Sequence, residues 1–200
     1  MPLSDNFQEF IRGWTSKAER IVLHNHDIAT YFDKFFTFFV IYNRLYVEAT
    51  YQMWRDRTIN PPNADDRFPD SDAAKDYVAR FLHAPTMMRA LESEPRSRAA
   101  ISDMERILDE GYFFILSRGP EAEGDRDADL ALLRRLRSNR PRERARAVLE
   151  FIYGIRCNTF HGSKNFDRVQ LDVLKPCIEV MAHLNGLLLE KLKQPDEAMA

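Results

Sequence analysis

Glycine is scarce in this chain, with seven among 200 residues. Tight hairpins and left-handed backbone draw on glycine, so its scarcity argues against a fold of many short strands. Cysteine is scarcer still. Cys157 and Cys177 are too few for a disulfide framework, and both fall in helical-looking segments, where reduced thiols of a cytoplasmic protein are expected. Charge of one sign is missing too: 29 basic and 31 acidic residues leave a formal net charge of −2. No global field therefore pulls the chain toward nucleic acid or an anionic membrane, and any nucleic-acid contact must come from a local patch. No apolar run is long enough to span a bilayer. The richest, Phe35 to Tyr42, is flanked by Asp33, Lys34, Arg44 and Glu48, and no membrane partner is expected. The start, Met1-Pro2-Leu3-Ser4-Asp5, has neither the basic nor the apolar region of a signal peptide. A glycine-rich phosphate loop, a Ser–His–Asp series and a paired-carboxylate motif are all missing, and no cofactor is expected. His24-Asn25-His26-Asp27 has two imidazoles but no further ligand set, so it reads as a turn with Asp27 capping the next helix, and no metal is expected.

What the sequence does have is helical periodicity. Residues 5–22 form an amphipathic helix with Asp5 as N-cap and Phe7, Phe10, Ile11, Trp14, Ala18 and Ile21 on one face. A long second helix covers Ile28 to Arg57. Its stripe is Phe32, Phe35, Phe36, Phe39, Tyr42, Asn43, Tyr46, Thr50, Met53 and Trp54, aromatic enough to be central or shared with a dimer interface. A proline- and aspartate-rich loop follows over 58–72. Helix three runs over 73–82 with a broken continuation over 85–93. Pro95 opens a fourth helix with Ile101, Met104, Ile107, Leu108, Tyr112 and Ile115 on its apolar face. After a loop at 117–126 come a short helix over 127–137 and another from Pro141, whose apolar side is Ala145, Val148, Leu149, Ile152, Tyr153 and Phe160. A last helix, 167–193, carries Leu171, Leu174, Cys177, Ile178, Met181, Leu184, Leu188 and Leu192 at helical period. The expectation is one all-α domain over 1–200, a helical bundle whose last two helices form an antiparallel pair.

The chemistry concentrates in Ile155-Arg156-Cys157-Asn158-Thr159-Phe160-His161-Gly162-Ser163-Lys164. A permanent cation, a carboxamide and an imidazole lie within six residues, the groups needed to hold a phosphodiester and move a proton without a metal. Gly162 sits where a C′ glycine would end the helix, which puts His161 in its last turn. Spacing alone is weak: with 22 arginines and five histidines, Arg followed by His after four to six residues arises by chance roughly once or twice. Arg20 and His26 supply a second instance. On a regular helix Arg156 and His161 diverge by roughly 140°. Either the helix end unwinds near His161, or a twofold-related second subunit completes the site. The bland alternative is a helix C-cap with Arg156 in a surface ion pair.

The same run resembles the Arg-x4-6-His signature of the HEPN superfamily, many members of which carry an Arg-Asn-Asn-Leu-Phe-His-Gly-like string followed by lysine. Phe35 to Tyr46, ending Asn43-Arg44-Leu45-Tyr46, is similar to the aromatic Asn-x-Leu-Tyr helix found earlier in that family. The resemblance implies a HEPN-like helical-bundle homodimer with facing Arg and His pairs, acting on RNA as a metal-independent endoribonuclease that leaves a 2′,3′-cyclic phosphate. Arg156 would neutralise the scissile phosphate, His161 would serve as general acid or base, and Asn158 would be an accessory hydrogen-bonder. It also implies a toxin or defence effector with a nucleotidyltransferase-type antitoxin as partner, or a catalytically inactive module that dimerises or binds nucleotides or proteins. Cys157 departs from the polar residue usual after the arginine in active members.

Three further features bear on binding. Arg134, Arg135, Arg137, Arg140, Arg142, Arg144 and Arg146 crowd seven cations into thirteen residues. They read either as a phosphate-binding ramp toward the cleft or as a solvated face balanced by Glu121, Glu123, Asp125, Asp127 and Asp129. No aromatic residue interleaves with them to stack bases. Lys164 is within reach of a phosphate, and Asn43, a carboxamide amid aromatics, needs buried partners and is an accessory candidate for the Arg–His cleft.

Overall fold

The computed structural model describes residues 3–24, 27–60, 68–111, 125–160 and 169–194, and all regular structure among them is helical. In chain order the elements are α1 (Asp5–Arg20), α2 (Ile28–Arg55), α3, α4 (Ala84–Ser93), α5 (Pro95–Glu110), α6 (Arg126–Leu136), α7 (Pro141–Phe160) and α8 (Val169–Lys193). α3 is one continuous stretch: Asp70–Asp72, a π-helical turn at Ala73–Tyr77, then Val78–Phe81. Among the described residues no helix is long and apolar enough to cross a membrane.

Most helix ends are set by identifiable caps, and these account for the differences from the sequence reading. Ser4, not Asp5, caps α1: its hydroxyl accepts the Phe7 N–H at 3.3 Å, leaving Asp5 as a favourable anion in the first turn. α1 stops at Arg20 because Ile21 is extended and its carbonyl is taken by Lys34 Nζ of α2 at 3.0 Å. Asp27 caps α2 through the Ala29 N–H, as its position in the sequence suggests. Helix three begins earlier than 73, at Asp70, directly after Pro69. Pro95 does open α5, where the Glu94 carboxylate accepts the Ser97 N–H at 2.6 Å.

α5 ends sooner than the apolar pattern suggests. Gly111 adopts φ +67°, its N–H bonds the Ile107 carbonyl, and the Arg126 guanidinium donates to the carbonyls of Leu108 and Asp109. Tyr112, Ile115 and most of the 117–126 loop lie outside the described residues. A Cβ at Gly111 would stand 2.6 Å from Arg126 Cζ, besides demanding left-handed backbone from an L-residue. Gly111→Ala is therefore expected to destabilise the fold by more than about 1 kcal/mol. Urea unfolding measures this, and Arg126→Ala in the same background should recover the steric part.

The long aromatic helix α2 is central, as its composition implies. Phe35, Tyr42, Leu45 and Tyr46 are completely enclosed, each such side chain contributing about 1.5–3 kcal/mol of burial. Trp54 departs from the expected stripe and stands 38% exposed. All eight apolar positions assigned to the last helix are buried. α8 packs chiefly on α2 and next on α5, with only a small contact on α7, so the expected pairing of the last two helices is not its main packing. The reason is surface: α8 also buries Val173 and Val180, and the broadest apolar face available to it is the aromatic one of α2. Asn185 Nδ2 donates to the Phe38 carbonyl at 3.0 Å, and Ser97 Oγ lies 3.2 Å from His183 Nδ1, fastening α8 to α2 and α5. α7 packs on α6, α4 and α3, while α3 bridges from α7 to α2.

Candidate active site around Arg156

Asp70 is where α2, α3 and α7 meet. Tyr46, from α2, donates its hydroxyl proton to Asp70 Oδ1 at 2.5 Å and accepts from Asn43 Nδ2 at 2.5 Å. Tyr153, from α7, donates to Asp70 Oδ2 at 2.9 Å. The carboxylate sits in the first turn of α3, where unpaired amides favour negative charge. The π turn just after it widens the helix, and Val78 N–H reaches back to the Lys75 carbonyl instead of Ala74. The buried Tyr42 hydroxyl donates to that Ala74 carbonyl, so α2 supports the irregular turn as well as the carboxylate before it.

Arg156 lies three residues beyond Tyr153 on α7, one turn along the same face. Its guanidinium carbon stands 5.7 Å from the ring centroids of both Phe39 and Tyr153, and one terminal nitrogen is 3.9 Å from Cys157 Sγ. Burial, the largest influence, works against its charge. Cys157, Tyr153 and Asp70 together outweigh that and hold its pKa above the ordinary value. The result is a permanent planar cation, half-buried against two ring faces beside an exposed carboxylate. Lys75 adds a second positive charge 5.5 Å from the Tyr153 ring centroid.

The Tyr46 and Tyr153 hydroxyls are held well above the usual phenol range, by burial first and then by their bonds to Asp70. A raised folded-state value means the native protein keeps these protons when the unfolded chain loses them. The contribution is complete below about pH 10 and is lost as pH climbs beyond it. Denaturant unfolding at a series of alkaline pH values is expected to show stability falling above that point. The fall should be shallower in Tyr46→Phe, which has one proton fewer to retain.

The structure brings some of the sequence candidates together and separates others. Arg156 and Asn43 belong to one cluster, joined through Tyr46, Asp70 and Tyr153. Asn158 is 6% exposed and, two residues from Arg156, turns roughly 200° away toward the interior. His161 and Lys164 lie outside the described residues, as does His26 of the turn before α2. Most of the arginine segment is engaged in ion pairs, though among the described residues none of these is with the acids at 121–129. Arg135 pairs with Glu150, Arg137 with Glu105 and Asp109, and Arg140 with Glu143. Arg144 pairs with Glu92 and Glu105, and Arg146 with Asp76 at 2.7 Å. Arg142 is exposed and has no ion-pair partner among the described residues. No group of three or more His, Cys, Asp or Glu able to hold a metal occurs among the described residues.

Sequence reasoning missed Asp70, Tyr46 and Tyr153 as site residues. Two signals were available: the i,i+3 pair Asn43 and Tyr46 amid aromatics, and the i,i+3 pair Tyr153 and Arg156. Nothing local marks Asp70, which contacts Tyr153 across 83 residues of chain. Compared with known proteins, the chain matches no family model, no curated protein and no solved structure.

Proposed function

We propose that the protein is a metal-independent endoribonuclease with a HEPN-like architecture, in which Arg156 binds the scissile phosphate and His161 moves the protons. The observation that carries this reading is the anchoring of Arg156: a half-buried cation held over the rings of both Phe39 and Tyr153 on α7, five residues before an imidazole in sequence. A planar fork of donors held in place can meet the charge that develops on a pentacoordinate phosphorus without reorganising. His161 serves as general base toward the ribose 2′-OH or as general acid toward the leaving 5′-oxygen, giving a 2′,3′-cyclic phosphate. On a regular helix, two residues five apart, as Arg156 and His161 are in sequence, diverge by about 140°. This supports a homodimer in which each cleft combines groups from two chains. A toxin or defence role held in check by a nucleotidyltransferase-type antitoxin follows from the family resemblance alone.

One observation favours a second reading, a catalytically silent helical module that binds nucleotides or proteins. Asp70 puts an exposed carboxylate among the neighbours of Arg156, where it opposes a phosphate. The deciding experiment incubates wild-type, Arg156→Ala and His161→Ala proteins with single-stranded RNA in excess EDTA and identifies the product ends, with solution mass measured in parallel. Cyclic-phosphate ends from a wild-type dimer, lost in both variants, support the ribonuclease. Intact RNA, or cleavage unchanged in both variants, leaves the silent module.

A further inference from the structure

The arginine segment has no aromatic residues interleaved in sequence, but the fold supplies them from elsewhere. Tyr51 and Trp54, at the end of α2, are 46% and 38% exposed, and their ring centroids lie 6.1 Å apart. Both meet Phe68 edge-on at 6.5 Å, and Phe68 meets Tyr77 of α3 at 5.6 Å. Tyr77 in turn lines a surface cleft of about 430 Å³ between α3, α4 and α7, together with Asp76, Arg80, His83, Arg142 and Arg146. The aromatic ladder and the cleft are therefore one continuous surface with Tyr77 as the shared residue.

The charge of the cleft is one-sided. Three arginines face one carboxylate, Asp76, which Arg146 already neutralises. Arg80 is exposed and is positioned by a bond to the Thr58 carbonyl just past α2. Arg142 lies one helical turn before Arg146 on the same face of α7. Exposed rings leading into a cationic groove combine the two elements that hold a single strand: π-faces for successive bases and fixed cations for the phosphates between them. The cleft also has the volume of a small-ligand site. Its relation to Arg156 is fixed by α3 and α7, which touch at Asp76–Arg146 and again at Asp70–Tyr153. Ten residues of helix separate Arg146 from Arg156, about 15 Å along the axis.

We infer that this surface is a track for single-stranded RNA: Tyr51, Trp54 and Tyr77 stack bases, while Arg80 and Arg142 hold the phosphates leading toward Arg156. The inference rests on the ribonuclease reading for its ligand, so its test measures binding rather than cleavage. Affinity of His161→Ala protein for a labelled mixed-sequence single-stranded RNA is measured by fluorescence anisotropy over a range of salt concentrations. The same RNA as a duplex, and a free nucleoside triphosphate, are the comparison ligands.

Adding Trp54→Ala is expected to weaken single-strand binding about tenfold. Adding Arg142→Glu is expected to weaken it at least as much and to lower the salt slope by about one. The duplex should bind more weakly and respond little to Trp54→Ala, because its bases are already stacked. Arg142 is exposed and makes no ion pair among the described residues, so its replacement should leave thermal melting unchanged, whereas Trp54→Ala should lower it modestly through its lost contacts with Tyr51 and Phe68. Single-strand affinity unmoved by both variants overturns the track. Loss on Arg142→Glu alone, with the triphosphate equally affected, also overturns it and assigns the cleft to a free nucleotide. A track without cleavage would sink only the ribonuclease reading, whereas cleavage with unmoved affinity would sink only the track.

Discussion

Arg156→Ala is expected to reduce cleavage of single-stranded RNA by about 10²–10³-fold, the usual cost of removing one preorganised donor to a developing oxyanion. Stability should fall only modestly. The substitution removes two ring contacts worth about 0.5–1 kcal/mol each at a partly exposed site, while the Tyr46–Asp70–Tyr153 network stays intact. Lysine is the sharper test. Arg156→Lys keeps the charge but replaces a planar fork with a single ammonium that cannot span two phosphate oxygens, so it should recover little of the rate. His161→Ala is expected to cost about 10²–10⁴-fold by removing the proton shuttle. If each chain's cleft needs its partner's histidine, mixing inactive Arg156→Ala with inactive His161→Ala should restore partial activity. A mixed dimer keeps an arginine from one chain and a histidine from the other. Full activity in Arg156→Lys would sink the phosphate-fork role, and silence in the mixture would remove the case for a composite site.

The parts of the fold that were legible in the sequence are those fixed within one or two helical turns. The period of Leu171 to Leu192 identifies the buried face of α8, and Asp27 and Pro95 mark helix starts because capping is local. The cap of α1 was misplaced by one residue because Ser4 and Asp5 both suit the position, and only backbone geometry chooses between them. The helical turn at Asp70 was hidden in a proline- and aspartate-rich stretch. Its stability comes from Tyr42 and Tyr46 of another helix rather than from its own propensities. The site divides in the same way. Arg156 is readable from its motif, whereas Asp70 is found only once α2, α3 and α7 are brought together. The ion pairs of Arg144 and Arg146 likewise reach acids on α4, α5 and α3 that no local charge count would select.

Asp70 itself provides the second large effect, on stability rather than rate. It accepts hydroxyl protons from two tyrosines on different helices, so Asp70→Ala removes the acceptor of the buried Tyr46 hydroxyl, to which Asn43 only donates, and unties α7 from α3 at Tyr153. Bonds to a charged acceptor contribute about 1.5–3 kcal/mol each when enclosed, but Asp70 is exposed, so about 2 kcal/mol for the pair is the expected loss. For a chain of this size that corresponds to a fall in Tm of roughly 4–8 °C. Asp70→Asn separates the structural role from the electrostatic one. The amide offers a single acceptor oxygen, so one tyrosine keeps its bond, and the expected loss is about half as large. The same change removes the negative charge that opposes a phosphate beside Arg156, so RNA affinity at low salt should rise a few-fold even as the protein melts earlier. Tighter binding together with lower stability is the signature of a carboxylate kept for architecture at a phosphate site. Weaker binding in Asp70→Asn would instead mean that the carboxylate orients Arg156, and unchanged melting in Asp70→Ala would show that the three helices are held together elsewhere.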